Sequence, residues 1–219
     1  LHKGEIFGLC GLSDSGIREV GQAAYGLLPV DSGEVSLPTH NVSIGNPYQA
    51  LQNRVAYVPK DRDGEALMMG ASIQNNFCLP SVETLKGRFG FLSPKKLYQA
   101  SSKAREQFSV KSTGVDQLMR ALSGGNKQKV NLGRWLIKDL DVLIVDCPTR
   151  GVDIGVKAYI YQCLREAKEK GMAILLITDE LSEVLGMADT IAVMKDGEIC
   201  KLLPRSAELS EETIIEVMT

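Results

Sequence analysis

Two uninterrupted apolar runs constrain the fold more than any other feature of this sequence. The segments DVLIVD (residues 141–146) and MAILLIT (residues 172–178) are apolar at consecutive positions, which is typical of strands buried on both faces. Between them, VKAYIYQCLREAKEKG has helical spacing and ends at Gly171, with lysines in its last turn where they suit the helix dipole. The order strand, helix, strand predicts an α/β fold with a mostly parallel sheet flanked by helices.

The remaining segments extend this pattern. EIFGLCG predicts a first strand that enters the loop Gly11–Gly16, followed by a helix over about residues 17–27. Further strands are predicted at GEVSL, RVAYVP, DTIAVM and GEICKLL, and a final short helix at SEETIIEVM with Ser210 as its N-cap. From Met69 to Leu122 no buried strand is expected, and LSPKKLYQASSKAREQF predicts a helix. We therefore expect one domain over 1–219, with sheet-core segments 1–68 and 123–219 and an inserted helical subdomain at 69–122.

Composition excludes several classes of protein. The chain has 219 residues and a formal net charge of −2, so nothing global indicates binding to nucleic acid or to an acidic membrane surface. No apolar run approaches the roughly 20 residues that span a bilayer. The five cysteines form no CxxC pair and are expected to be reduced, buried thiols of a cytosolic protein; they are Cys10, Cys78, Cys147, Cys163 and Cys200.

Four short segments of the sequence could bind a ligand. Taken alone, GLSDSG after the first strand is either a loop that holds a phosphate or an ordinary strand-to-helix turn. LSGGN before a helix would direct backbone N–H groups and a hydroxyl outward, as an anion site does, or it is only a serine-capped helix with a glycine hinge. Asp146 ends a buried strand, where a carboxylate can hold Mg²⁺ through water or cap the next turn. Thr178, Asp179 and Glu180 follow another buried strand at the same predicted edge.

In this order and spacing, these motifs resemble the nucleotide-binding domain of ABC transporters, over nearly the full length of the chain. The resemblance places Gly11–Arg18 at the Walker A motif, Leu122–Asn126 at the signature motif, Leu143–Asp146 at Walker B, Gly151, Val152 and Asp153 at the D-loop, and Asp179 at the switch histidine. It implies a P-loop NTPase-like fold whose helical subdomain carries the signature motif. It also implies ATP and Mg²⁺ as ligands.

A narrower resemblance is carried by LSGGNKQKV, PTRGVDIG, ELSEVLGMAD and PKDRDGEAL. These segments resemble the second ATP-binding half of bacterial monosaccharide importers, a family with two such domains in tandem. The resemblance implies that the chain is an excised part of a longer polypeptide. The implied partners are a second ABC domain on the same polypeptide and a transmembrane permease, which is expected to contact residues Asp61–Asn76. A peripheral position on the cytoplasmic face of the membrane follows. Import of a nucleoside or a signalling molecule stays open, and nucleic acid is not expected as a partner.

The phosphate loop departs from the family pattern. In a working loop, G-x4-G-K-[ST], the lysine meets the β- and γ-phosphates and the hydroxyl binds Mg²⁺. Here Ile17 brings no charge, Arg18 cannot ligate a cation, and Asp14 adds a negative charge where phosphates would lie. A direct contact from Arg18 to a phosphate remains open. The candidate nucleotide-binding residues are Gly11, Ser13, Asp14, Ser15, Gly16, Ile17, Arg18 and Lys60.

The catalytic positions depart from the pattern as well. Cys147 replaces the glutamate that polarises water, and a thiol with a pKa of about 8.5 is a poor substitute. Asp179 replaces the switch histidine, and Lys60 replaces a metal-contacting glutamine. Cys147 and Asp179 are therefore predicted to be inert, and Asp146 is the one candidate metal ligand, at a site that lacks its other ligands.

The signature motif is nearly intact, with Asn126 in place of the usual glutamine. Leu122, Ser123, Gly124, Gly125 and Asn126 are therefore predicted to cap ATP bound by a partner domain, while this domain's own site binds ATP weakly. One alternative is a competent ATPase in which Arg18 does the work of the lysine. Another is a non-transport ABC protein that acts on nucleic acid or ribosomes, against which the near-neutral charge weighs.

Overall fold

The computed structural model describes residues 1–12, 14–206 and 208–218, and the candidate residue Ser13 lies outside them. The chain forms two compact units. The first consists of residues 1–57, 140–147 and 161–219, and the second of residues 58–139 and 148–160.

The secondary structure alternates between strands and helices at both ends of the chain. The strands are β1 (Ile6–Gly11), β2 (Ser36–Leu37), β3 (Val42–Ser43), β4 (Val55–Val58), β5 (Val142–Asp146), β6 (Ala173–Thr178), β7 (Thr190–Lys195) and β8 (Glu198–Pro204). The α-helices are α1 (Ile17–Tyr25), α2 (Pro47–Gln52), α3 (Ile73–Cys78), α4 (Val82–Leu85), α5 (Pro94–Gln107), α6 (Gly124–Leu136), α7 (Ile154–Glu169), α8 (Leu181–Met187) and α9 (Glu211–Met218). Of the helices in the described part of the chain, none is long and apolar enough to cross a bilayer.

The main sheet has six strands in the order β4-β5-β6-β1-β7-β8. The pairs β1–β6, β1–β7 and β5–β6 are parallel, and only β8 is antiparallel to its neighbour β7 among the pairs described in register. Cys10 pairs with Thr178 and Asp146 with Ile177, so the carboxyl ends of β1, β5 and β6 lie at one edge. The predicted fold class, a mostly parallel sheet flanked by helices, is confirmed.

The apolar runs of the sequence form the core of the first unit. Leu9, Ile144 and Ile177 on three neighbouring strands are almost fully buried and pack in one cluster with Ile17 of α1. Helix α1 lies close to the sheet because Gly21 has no side chain: an added Cβ would be 2.3 Å from Ile177 Cδ1. Burial of such side chains is the main favourable term in folding.

Some element boundaries differ from the predicted ones. Helix α1 ends at Tyr25 rather than near residue 27, because Gly26 takes a left-handed conformation (φ 80°) and caps the helix. Of GEVSL only Ser36–Leu37 is a strand, and it pairs with β3 in a separate two-stranded antiparallel sheet. Ser210 Oγ accepts a hydrogen bond from Thr213 N at 3.4 Å, as expected of an N-cap.

The second unit is helical, and it is larger than the predicted insertion at 69–122. Helices α3, α5 and α6 pack against one another, and the rings of Phe77 and Phe108 stack with centroids 6.3 Å apart. An added Cβ at Gly133 of α6 would be 2.7 Å from the Phe108 ring, so α6 is held tightly in this unit. The unit therefore includes residues after 122 that the sequence assigned to the sheet core.

The cysteines follow the prediction only in part. All five are free, and Cys10, Cys78 and Cys147 are buried. Burial raises the pKa of the Cys10 thiol to about 11, so this thiol stays protonated at neutral pH. Cys163 is half-buried and Cys200 is exposed, which corrects the expectation that every thiol is buried. Cys200 is exposed because β8 is the edge strand of the sheet.

A substitution at Gly8 tests the packing of the central strand. A Cβ at Gly8 would be 2.2 Å from Val184 Cγ2 and 2.8 Å from Ala188 Cβ, both from the segment around α8. We expect Gly8→Val to lower the free energy of unfolding by about 1–3 kcal/mol or more, because the overpacked methyl groups must push α8 away. Urea unfolding followed by circular dichroism at 222 nm measures the change. Gly186→Ala on α8 is the matched control, since its added Cβ would meet no described atom within 4 Å. Equal stability of the two variants would contradict this packing.

Candidate functional site

The loop between β1 and α1 is a compact turn closed by its own hydrogen bonds. Ser15 is buried, and its Oγ donates to Leu12 O at 2.7 Å. Gly11 is required there, because an added Cβ would be 2.2 Å from Ser15 Oγ and 2.6 Å from Met194 O. Gly16 is left-handed (φ 90°) and precedes the first residue of α1, while Asp14 is exposed. The structure therefore places the candidate loop residues that it describes in one turn.

The two residues that replace lysine and hydroxyl point in different directions. Ile17 is 3% exposed and belongs to the apolar core, in contact with the cluster that includes Leu9 and Met194. Arg18 lies on the other side of the helix start, and its Nε donates to Asp146 Oδ2 at 3.0 Å. The Arg18 side chain is 35% exposed, whereas that of Asp146 is fully buried.

Asp146 at the end of β5 is therefore a buried carboxylate paired with the Arg18 guanidinium. Its Oδ2 also accepts a hydrogen bond from Tyr57 OH of β4 at 3.3 Å. Its Oδ1 is buried and has no hydrogen-bond donor among the described residues. Sequence reasoning missed Tyr57, because RVAYVP indicates a strand without saying which neighbour that strand will have.

The two catalytic positions are in contact with each other. Cys147 follows β5 in a left-handed conformation (φ 47°), and its N–H donates to Ile177 O at 2.8 Å. Its buried Sγ donates to Asp179 Oδ1 at 3.8 Å. Thr178 Oγ1 accepts from Glu180 N at 3.1 Å and fixes the chain beyond β6. The predicted association of these strand-end residues is thus present in the first unit.

In the second unit, the signature segment forms the start of α6. Leu122 is buried and Ser123, the N-cap, is exposed. Asn126 orders the segment: its Nδ2 donates to Ser123 Oγ at 2.9 Å, and its Oδ1 accepts from Lys111 N at 2.8 Å. Asn126 therefore supports the serine from within the same turn of the helix.

Both signature glycines are needed for close packing inside the second unit. A Cβ at Gly124 would be 3.3 Å from Gly151 O of the D-loop, and one at Gly125 would be 2.6 Å from Val156 Cγ2. Arg62 Nη1 donates to Gly124 O at 3.0 Å, a contact that sequence reasoning did not foresee. The D-loop is an ordered turn as well.

Within the D-loop, Gly151 is exposed and left-handed (φ 70°), and Val152 is half-buried. Asp153 Oδ1 accepts from Val156 N at 3.0 Å and so caps the start of α7. The signature and D-loop segments are therefore neighbours in the second unit.

The segment after β4 is ordered by a small charge cluster. Lys60 is half-buried, and the following residues Arg62–Ala66 form one π-helical turn. Asp63 accepts from Arg62 Nε at 2.7 Å and from Lys127 Nζ at 2.9 Å. Partial burial favours the neutral carboxyl, but these two cationic donors outweigh it and lower the pKa of Asp63.

Asn76 holds the end of the same segment. It is fully buried, its Oδ1 accepts from Met68 N at 2.9 Å, and its Nδ2 donates to Met68 O and Ser72 O at 3.1 and 3.0 Å. Across residues 1–12, 14–206 and 208–218, no group of three or more His, Cys, Asp and Glu side chains is placed to hold a metal ion.

Known proteins resemble this chain over its whole length. A family model described as ABC transporter matches residues 1–150. A putative ribose/galactose/methyl galactoside import ATP-binding protein of Burkholderia lata is 38% identical over 219 residues, which are 100% of this chain and 43% of that protein. A ribose import ATP-binding protein of Lactococcus lactis is 37% identical over 100% of this chain and 44% of its own length. The chain thus spans less than half the length of these relatives.

Solved structures share the fold. A nucleotide-free ATP-binding cassette from an ABC transporter superimposes with a TM-score of 0.78 and 22% identity, covering 100% of this chain and 89% of that one. A dimeric ATP-binding cassette in a post-hydrolysis state, bound to ADP and Pi, gives a TM-score of 0.80 at 20% identity and covers 93% and 87% of the two chains. Family model, relatives and fold agree, and the chain belongs to the ABC transporter family.

Proposed function

We propose that this chain is an ATP-binding domain of a sugar importer whose own phosphate loop is not competent for Mg-ATP and whose signature motif completes the ATP site of a second ABC domain. The names of the relatives, which import ribose or galactosides, support a monosaccharide as cargo. The arrangement of Arg18 and Asp146 carries the proposal for the phosphate loop.

In a working site, a hydroxyl of the loop and the carboxylate that ends the Walker B strand hold Mg²⁺. Here the guanidinium of Arg18 lies 3.0 Å from that carboxylate and supplies the positive charge. A buried carboxylate needs one such partner, and a second cation next to Arg18 would be repelled. The residues present do not fit a magnesium-bound triphosphate.

Two further positions support the same conclusion. Ile17, at the lysine position, is committed to the apolar core and brings no charge to a γ-phosphate. The Cys147 thiol is directed onto Asp179, so the position that should polarise water holds a hydrogen-bond donor. Asp179 itself would repel a γ-phosphate instead of stabilising it.

The signature segment retains what an anion site needs. Ser123 is exposed at the start of the 13-residue helix α6, where backbone N–H groups and the helix dipole favour negative charge. Asn126 donates a hydrogen bond to the Ser123 hydroxyl, and Arg62 donates one to the carbonyl of Gly124. This geometry supports a role for Ser123, Gly124 and Gly125 at the γ-phosphate of ATP bound by a partner.

The proposed assembly extends to a membrane. The partners are a second ABC domain on the same polypeptide and a transmembrane permease that contacts residues Asp61–Asn76, with the domain peripheral on the cytoplasmic face. The hydrogen bonds of Asp63 and Asn76 give this segment the fixed shape that docking requires. A nucleoside or signalling molecule as cargo would leave the ATP chemistry unchanged.

The competing function is a competent ATPase in which Arg18 takes over from the lysine. Titration calorimetry with ATP, with and without Mg²⁺, separates the two functions. We expect no heat of binding, or a dissociation constant that does not change with Mg²⁺, because the Arg18 guanidinium already contacts Asp146 Oδ2 and would repel a metal ion there. An ABC domain with an intact G-x4-G-K-[ST] loop serves as the positive control. Micromolar, Mg²⁺-dependent binding would establish the competing function.

The substitution Arg18→Thr tests whether Arg18 supplies the positive charge that Asp146 needs. It leaves Asp146 buried without its cation, and we expect the free energy of unfolding to fall by about 1–3 kcal/mol, since Arg18 is partly exposed. Asp146→Asn in the same background should recover most of the loss, and Mg²⁺ should stabilise Arg18→Thr but not the parent protein. Urea unfolding measures each value. Arg205→Thr, at an exposed arginine, is the control and should change stability by less than about 0.5 kcal/mol.

Turnover in a mixture tests the role of the signature motif. Alone, the chain should not hydrolyse ATP, and Cys147→Glu should not rescue it, since the lysine and hydroxyl stay absent. Added to an ABC domain with an intact loop and catalytic glutamate, it should raise turnover. Ser123→Arg should abolish this stimulation by filling the exposed N-cap, whereas Lys201→Glu should not. Turnover by the chain alone at ordinary ABC rates, lost in Cys147→Ala, would defeat the proposal.

A further inference from the structure

The helical unit carries a hairpin that neither the ATP site nor the signature motif explains. Between α4 and α5, Lys86 pairs with Leu92 in an isolated antiparallel bridge, and Gly87 N donates to Phe91 O at 2.8 Å. We call residues 86–98, the hairpin together with the first turn of α5, the basic hairpin. Its side chains of interest are Lys86, Arg88, Phe89, Phe91, Leu92, Lys95, Lys96 and Tyr98.

The aromatic side chains of the basic hairpin lie in solvent. Phe89 is 83% and Phe91 77% exposed, and Leu92 and Tyr98 beside them are exposed as well. Phe89 also takes a left-handed conformation (φ 67°), which costs a bulky residue more than glycine or asparagine. Neither core packing nor turn geometry accounts for phenylalanine at these positions. Four exposed large apolar side chains within ten residues of the chain indicate an interaction surface.

The charges of the basic hairpin are all positive. Residues 84–98 contain Lys86, Arg88, Lys95 and Lys96 and no acidic residue, although the whole chain has a net charge of −2. Lys95 and Lys96 are exposed in the first turn of α5, where the helix dipole disfavours positive charge. Lys86 is paired with Glu83 at 2.6 Å, which leaves the other three cations facing outward.

We infer that the basic hairpin binds the surface of a membrane that contains anionic phospholipid. Phe89 and Phe91 enter the boundary between headgroups and acyl chains, and Arg88, Lys95 and Lys96 contact the lipid phosphates. Apolar side chains and basic side chains on one segment both favour such an interface, because apolar burial and attraction to anionic lipid add. Long basic side chains can keep their charges at the phosphates while their stems lie along apolar surface.

Two other occupants fit the basic hairpin less well. A second copy of the chain would bring the same cations against each other, which opposes self-association through this surface. Single-stranded nucleic acid binds by stacking bases on aromatic faces. One face of the Phe89 ring already carries the Arg88 guanidinium, 5.3 Å from the ring centroid. Insertion into lipid leaves that contact intact, so the observations favour the membrane.

The test is sedimentation of the full chain with vesicles. Vesicles of phosphatidylcholine mixed with phosphatidylglycerol should pull down the protein, and vesicles of phosphatidylcholine alone should not. Phe89→Ser with Phe91→Ser, and separately Lys95→Glu with Lys96→Glu, should each weaken binding about tenfold or more. Raising the salt concentration should weaken the binding of the parent protein.

Two control variants make the same kinds of substitution in the first unit. Ile199→Ser with Leu202→Ser removes two exposed apolar side chains from β8, and Lys3→Glu with Lys201→Glu reverses two exposed lysines of the first unit. Both should bind the anionic vesicles as the parent protein does. The melting temperature of Lys95→Glu with Lys96→Glu should be unchanged or higher, since acidic residues suit the start of α5. Lost binding together with a lower melting temperature would indicate unfolding and overturn the inference.

Three further results would also overturn it: equal binding to both kinds of vesicle, binding that survives in both hairpin variants, or tight binding of an RNA oligonucleotide that the anionic vesicles cannot displace. None of these outcomes depends on ATP. The inference therefore stands or falls separately from the proposed function.

Discussion

The hydrogen-bonded ion pair of Arg18 and Asp146 is the interaction on which the chemistry of the first unit depends. A carboxylate with no exposed surface needs a positive partner inside the protein, and this one is also bound by Tyr57. The three residues come from α1, β5 and β4, so the pair ties a helix and two strands together at the carboxyl edge of the sheet. In a working phosphate loop, Mg²⁺ lies beside the carboxylate at this position. Here the counter-charge is covalently part of the chain.

A fixed counter-charge changes what the edge of the sheet can respond to. Under the proposed function, Arg18 holds the Asp146 carboxylate whether or not nucleotide is present. The contact between Cys147 and Asp179 has the same character, because two positions that would face water and phosphate satisfy each other. The second unit is different: Ser123 is exposed and held from within by Asn126.

Much of the fold and of the site could be predicted from the sequence, and the remainder has identifiable physical causes. The runs around Ile144 and Ile177 indicate buried parallel strands, because few other structures tolerate apolar side chains on both faces. Strand order is not readable from such runs, so the contact of Tyr57 with Asp146 could not be foreseen. Gly26 ends α1 earlier than apolar spacing suggests, and Cys200 is exposed because β8 lies at the edge. The second unit also includes α6, whose packing against Phe108 cannot be read from composition.

The turn between β7 and β8 has a consequence for the order in which the molecule assembles. Gly197 N donates to Ser15 O at 3.1 Å, and a Cβ added at Gly11 would be only 2.6 Å from Met194 O. The loop after β1 therefore takes its shape partly from residues that lie about 180 positions later in the chain. Contacts at such long sequence separation form late, because chain entropy must be lost before they can contribute. The described part of this loop therefore reaches its final shape only once β7 has docked beside β1.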